Sequence, residues 1–229
     1  MEKRIAFFGP FNKRSALYFA LVFAAQLFVY LVPTIFMPMV RMHDIALPVD
    51  ALIPFWPAFV IPYVLVFFEW GYCYLLAPLL ERERFARYTA ALLVGFAACF
   101  AVYMLYPTTY TRPEIEGGGF FAKLMEQIFG IDQPSRCMPS LHCFLGWLNW
   151  RFVHKQAAVP KWQRAVALFF ALVTLPTTLL VKQHVLVDVP TGVLTAELAW
   201  FVGGHKKISG FFVGIFERIA AKLKVNEAR

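Results

Sequence analysis

Two short stretches collect the residues whose types suit acid–base or nucleophilic chemistry: CMPSLHC, Cys137 to Cys143, and QHVLVD, Gln183 to Asp188. His184 and Asp188 are four apart, a spacing that on a helix stacks them on one face. The carboxylate can then accept the imidazole Nδ1 proton and leave Nε2 free. An imidazole held that way is a nucleophile or a base. His142 stands where a long polar stretch re-enters apolar sequence. Pro139 and Ser140 before it suit the first turn of a helix, whose free backbone N–H groups favour an anion. Arg112, Arg136 and Lys182 are close to these histidines in sequence. Two imidazoles and three cations converging from two connections describe a site for a phosphate group.

Each feature alone has a plainer meaning. A His-x-x-x-Asp pair inside a membrane can be a proton relay of a transporter or a structural hydrogen bond. Ser140 can be only a helix cap, and Arg112 and Arg136 can rest on lipid headgroups. The joint pattern favours phosphate chemistry. No metal is expected, because no carboxylate cluster stands beside the histidines and the cations already balance a phosphate.

The elements that must position these residues are membrane spans. The chain is 60% hydrophobic and only 16% charged, with a mean hydropathy of +0.61, where ordinary globular chains carry about 25% charged residues. The net charge of +8 would suggest nucleic acid in a soluble protein, but the basic residues sit in short connections between apolar runs, which points to topology and away from nucleic acid. The expectation is one all-α integral membrane domain over residues 1–229: a bundle of six transmembrane helices. The spans run from about Ala16 to Met37, Phe55 to Leu76, Tyr88 to Tyr106, Ser140 to Val153, Trp162 to Val181 and Val185 to Val202. The fourth is short for a bilayer core of about 30 Å. FFAKLMEQIFG, between the third and fourth spans, suits an interfacial amphipathic helix, and the tail after His205 suits another. Glu69 and Glu197 are carboxylates inside apolar runs, which calls for a partner or a wet cavity. Cys137 and Cys143 flank the first motif, and a disulfide between them is not expected.

Six spans put both termini on one side. The basic start, with Lys3 and Arg4, together with two connections and the tail hold 17 of the 22 Lys and Arg. The positive-inside rule makes that side cytoplasmic and leaves both motifs on the opposite face.

In these motifs the chain resembles the type 2 phosphatidic acid phosphatase superfamily of membrane lipid phosphatases and phosphotransferases. Pro139, Ser140 and His142 match its Pro-Ser-Gly-His motif with Leu141 in the glycine slot. His184 and Asp188 match the end of its third motif, with Thr177 and Thr178 where serine and arginine stand. Arg112 and Pro113 match the end of its first motif, with Leu105 in the lysine slot. The leucine in the second motif and the segment LPVDALIPFWPAF resemble the branch related to inositol phosphorylceramide synthase. The resemblance implies a cofactor-free phosphohistidine relay on a lipid phosphate. His184 attacks, Asp188 steadies the imidazolium, His142 protonates the leaving oxygen, and Arg112, Arg136, Lys182 and the Ser140 region hold the phosphoryl oxygens. Water as second acceptor makes a phosphatase; a lipid alcohol makes a transferase.

Overall fold

The computed structural model describes residues 12–115 and 117–225. Lys3 and Arg4 of the expected basic anchor, and the last four residues of the tail, lie outside that range. Eight α-helices occupy the described residues: α1 (Lys13–Phe36), α2 (Val60–Leu76), α3 (Arg82–Leu105), α4 (Phe120–Ile131), α5 (Leu141–Val153), α6 (Lys161–Leu180), α7 (Asp188–Gly203) and α8 (Lys206–Lys222). The protein is all-helical apart from two-residue strands, β1 (His43–Asp44) and β2 (Thr108–Thr109), which pair in parallel.

Four helical segments are long and apolar enough to cross a membrane: Lys13–Met39, Pro57–Leu79, Arg82–Leu105 and Lys161–Leu180. The expected fourth and sixth spans appear as α5 and α7, which are only 13 and 16 residues long. A full crossing takes about 20. The third expected span starts earlier than its hydropathy suggests, because α3 runs back through the charged connection to Arg82. Arg84 caps the end of α5 there, donating to the Phe152 carbonyl at 2.7 Å, to that of His154 at 3.0 Å and to that of Arg151. Arg87 donates to the Trp200 carbonyl near the end of α7. Those two arginines thus satisfy carbonyls that a helix end leaves unpaired.

The helices pack as a bundle in which α3 lies on α7 and α8, α5 lies between α6 and α7, and α2 contacts α1 and α6. Phe85, Phe96, Phe144, Leu145, Leu148 and Trp200 fill its centre. Polar side chains tie the helices laterally. Tyr88 on α3 donates to Asn149 Oδ1 on α5 at 2.6 Å, and Asn149 donates to Glu69 on α2 at 2.9 Å. Interhelical bonds of this kind contribute on average about 0.6 kcal/mol each in a bilayer. Glu69 therefore has bundle partners, and so has Glu197, which accepts from Trp147 Nε1 at 2.7 Å and pairs with Arg151 at 3.1 Å.

The tail helix differs from the expectation. Val213, Phe216 and Ala220 of α8 are buried against α1 and α3, so its apolar stripe is used within the bundle. Arg14 of α1 clasps Glu217 with two hydrogen bonds, and its guanidinium lies 5.0 Å from the Phe216 ring. The helix of the third connection forms as α4, burying Ala122 and Met125 and leaving Phe120 and Ile131 exposed. All four cysteines are free and buried.

Candidate active site

The connections at one end of the bundle converge. β1 joins the α1–α2 connection to β2 in the α3–α4 connection, and Thr109 bridges to Ser135 just before the first motif. Trp56 N–H donates to the Leu180 carbonyl at 2.8 Å, which fixes the start of α2 to the end of α6. Between these ties sit both histidines.

His142 is set by the start of α5. Ser140 is the N-cap, fully buried, and its Oγ accepts the Cys143 N–H at 3.2 Å. Such a cap is worth about 0.5–2 kcal/mol. Tyr103 of α3 donates to the Pro139 carbonyl at 2.6 Å and holds the residue ahead of the cap. The His142 ring is then packed among Tyr63, stacked at 4.6 Å between centroids, Phe67 and Trp70.

His184 and Asp188 meet as their spacing suggests, but not on one helix face. His184 lies in the turn before α7, and Asp188 is the first residue of that helix. The turn is shaped by backbone bonds: Gln183 and His184 N–H both donate to the Thr178 carbonyl, at 3.0 and 3.1 Å. Asp188 Oδ2 then accepts His184 Nδ1 at 2.9 Å and the Val185 N–H at 3.0 Å. A carboxylate at a helix N-terminus is favourably placed against the helix dipole. Oδ1 of Asp188 is buried with no donor among the described residues.

The two motifs face each other across a ring-to-ring contact. His184 Nε2 lies 3.4 Å from His142 Nδ1. Because His184 Nδ1 donates to Asp188, its Nε2 keeps the lone pair, so the proton between the rings belongs to His142 Nδ1. What permits this approach is Gly192, one turn into α7. A Cβ there would fall 2.6 Å from the Ser140 carbonyl oxygen and 2.8 Å from Cys143 Cβ.

Beside the histidines is a cavity of about 40 Å³ lined by Tyr30, Tyr103, Arg112, Asp132, Arg136 and Gln183, among others. That exceeds the 10–15 Å³ that one water needs. Arg112 reaches it through three bonds that fix its plane: to Tyr110 Oη at 3.1 Å, the Asp132 carbonyl at 2.5 Å and Gln183 Oε1 at 2.7 Å. Arg136 is 5% exposed, donates to the Tyr30 carbonyl at 2.9 Å and pairs with Asp132 at 3.3 Å. Its backbone is left-handed, with φ of 59°, a conformation uncommon outside glycine.

The structure separates the remaining candidates. Lys182 does not line this cavity. Its ammonium donates to the carbonyls of Asp50 at 3.1 Å and Ile53 at 2.6 Å, strapping the His184 turn to the 3-10 segment Pro48–Leu52. Burial lowers the pKa of that ammonium, and the Asp50 charge opposes the shift. Lys182 instead borders a larger, more open cavity of about 550 Å³, shared with Arg112 and His184. Ser140 is a cap and lines neither cavity. Leu105, in the slot of the missing lysine, is 84% exposed at the end of α3.

Three residues of the site were not among the expected site residues. Asp132 and Gln183 orient the arginines, and Asp50 holds the His184 turn by accepting the Leu186 N–H at 2.7 Å. Gln183 and Asp50 fall inside QHVLVD and LPVDALIPFWPAF, which gave a signal in position only; Asp132, just after α4, has no pattern to read. Among the described residues, no group of three or more His, Cys, Asp or Glu is placed to hold a metal ion. Comparison with protein families, curated proteins and solved structures finds no match for this chain.

Proposed function

We propose that the protein is a membrane lipid phosphatase that hydrolyses a lipid phosphomonoester or pyrophosphate through a phosphohistidine. The observation that carries this reading is the facing pair, His184 Nε2 to His142 Nδ1 at 3.4 Å, with Asp188 behind His184 and two arginines in the adjoining cavity. The lone pair of His184 Nε2 attacks phosphorus and the phosphorus–oxygen bond to the lipid breaks. Asp188 balances the imidazolium that forms. A bound phosphate supplies the counter-charge for a second proton on His142, whose imidazolium is framed by Tyr63 and Trp70. His142 then gives its Nδ1 proton to the leaving lipid oxygen and afterwards takes one from the water that cleaves the phosphorus–nitrogen bond. Arg112 and Arg136 hold the phosphoryl oxygens as charge moves.

A phosphotransferase reading uses the same groups, and the 550 Å³ cavity that also borders His184 favours it. Water needs no such space, whereas an acceptor alcohol does. In either case the resemblance to the type 2 phosphatidic acid phosphatase superfamily is part of the proposal. So are six membrane crossings, with α5 and α7 completing the four long ones, cytoplasmic termini, and a site facing away from the cytoplasm.

The test is a panel of lipid phosphates assayed for inorganic phosphate with the unaltered protein and with His184→Ala. Phosphate release lost in the variant supports hydrolysis. Release that appears only as a new phosphodiester when an alcohol is added supports transfer. Turnover unchanged in His184→Ala overturns both.

A further inference from the structure

Toward the end of the bundle away from the histidines, residues of α2 and α6 line a third cavity, of about 190 Å³, which shares no residue with the 40 or the 550 Å³ cavity. Its rim is apolar and outward-facing: Leu65, Phe68, Trp162 and Val166 are 44, 72, 51 and 40% exposed. Its lining includes two polar side chains that are almost fully buried, Glu69 at 7% and Gln163 at 5%. Gln163 Oε1 accepts the Tyr72 hydroxyl at 2.9 Å, but its Nε2 is buried with no partner among the described residues. Each Glu69 oxygen has one donor, from Cys73 Sγ at 3.2 Å and from Asn149 Nδ2 at 2.9 Å. A carboxylate oxygen has room for a second.

We infer that this cavity is a binding site for a lipid alcohol, a membrane amphiphile with a long apolar body and a free hydroxyl. The match is one of hydrogen-bond count. A hydroxyl accepts the orphan N–H of Gln163 and donates to Glu69, whereas an ester carbonyl only accepts and a fatty acid carboxylate would face Glu69. A buried amide N–H left unpaired is costly, so an occupant that satisfies it is retained. Phosphate-bearing headgroups are excluded, since the lining contains no Lys or Arg. The apolar body then lies along Leu65, Phe68, Val166 and Phe170.

The experiment is photolabelling of the full chain in nanodiscs with a diazirine derivative of hexadecanol, mapped by peptide mass spectrometry. The expected result is label within residues 65–73 and 153–170, reduced at least fivefold by excess hexadecanol but not by excess hexadecane. The same reduction is expected in Gln163→Leu and in Val166→Trp, which fills the cavity from its exposed rim. Labelling equally displaced by hexadecane, or equal in both variants, would show a general lipid contact and overturn the inference. His184→Ala is expected to label as the unaltered protein does, so the alcohol site stands or falls separately from the phosphatase reading.

Discussion

Gly192 and the Ser140 carbonyl are in near contact: a Cβ on the glycine would fall 2.6 Å from that oxygen. The approach brings the first turn of α7 against the first turn of α5, and with it His184 against His142. Gly192→Ala is therefore expected to force the two helix starts apart. Overpacking of this kind costs about 1–3 kcal/mol, offset in part by the better helix propensity of alanine, about 1 kcal/mol. Turnover should fall by more than the stability change implies, on the order of 10²-fold for a displacement near 1 Å. Thermal unfolding in detergent and phosphate release, measured on one preparation, separate the two effects.

Asp188→Asn keeps the size of the side chain but replaces an anionic acceptor with an amide. The His184 tautomer is no longer imposed and the imidazolium loses its counter-charge. A drop of about 10⁴-fold in turnover is expected, the scale seen when a carboxylate that orients a catalytic imidazole is neutralised. Chemical trapping of an acid-labile phosphohistidine should fail in the same variant. Normal trapping would remove Asp188 from the mechanism.

Arg112 and Lys182 are expected to part company. Arg112→Lys loses a planar guanidinium held by Tyr110, Asp132 and Gln183, which an ammonium cannot reproduce. Its KM for a lipid phosphate should rise about tenfold or more, roughly the 1.4 kcal/mol that corresponds to one decade. Lys182→Met should leave KM within about twofold. It should instead lower stability by about 1.5–3 kcal/mol, the worth of a hydrogen bond to a charged group. A large KM effect in Lys182→Met would return the lysine to the phosphate site.

Sidedness can be read with thiol reagents, because the four native cysteines are buried. Glu114 in the α3–α4 connection and Lys161 at the start of α6 are exposed at opposite ends of the bundle. In intact cells, Glu114→Cys is expected to react with a membrane-impermeant maleimide and Lys161→Cys only after permeabilisation. The reverse pattern would invert the proposed topology.

Hydropathy made the long helices legible, because bilayer thickness and helical rise fix how much apolar sequence a crossing needs. It placed α5 and α7 closely but read the start of α3 less well, since the charged residues Arg82, Glu83, Arg84 and Arg87 are helical there and Arg84 and Arg87 cap neighbouring helix ends. The His184–Asp188 pair was legible from its spacing, although the contact comes from a turn stabilised by the Thr178 carbonyl and not from a shared helix face. The place of the Lys182 ammonium was not legible for a physical reason: sequence shows a charge but not where four methylenes carry it, and here they carry it to the Asp50 and Ile53 carbonyls. Asp132 and Asp50 act through loop-to-loop contacts, spanning 136 residues between Asp50 and Leu186, which no local pattern encodes. Gly192 looked like any small residue in an apolar helix until the neighbouring carbonyl was placed opposite it.

The two facing imidazoles come from separate helical segments, one at the start of α5 and the other in the turn after α6, and meet only when α7 docks on α5. Without that docking each histidine stands singly, and on the proposed reading no nucleophile is aligned with an acid. On the proposed reading, turnover of a lipid phosphate would therefore require the contact of α7 with α5.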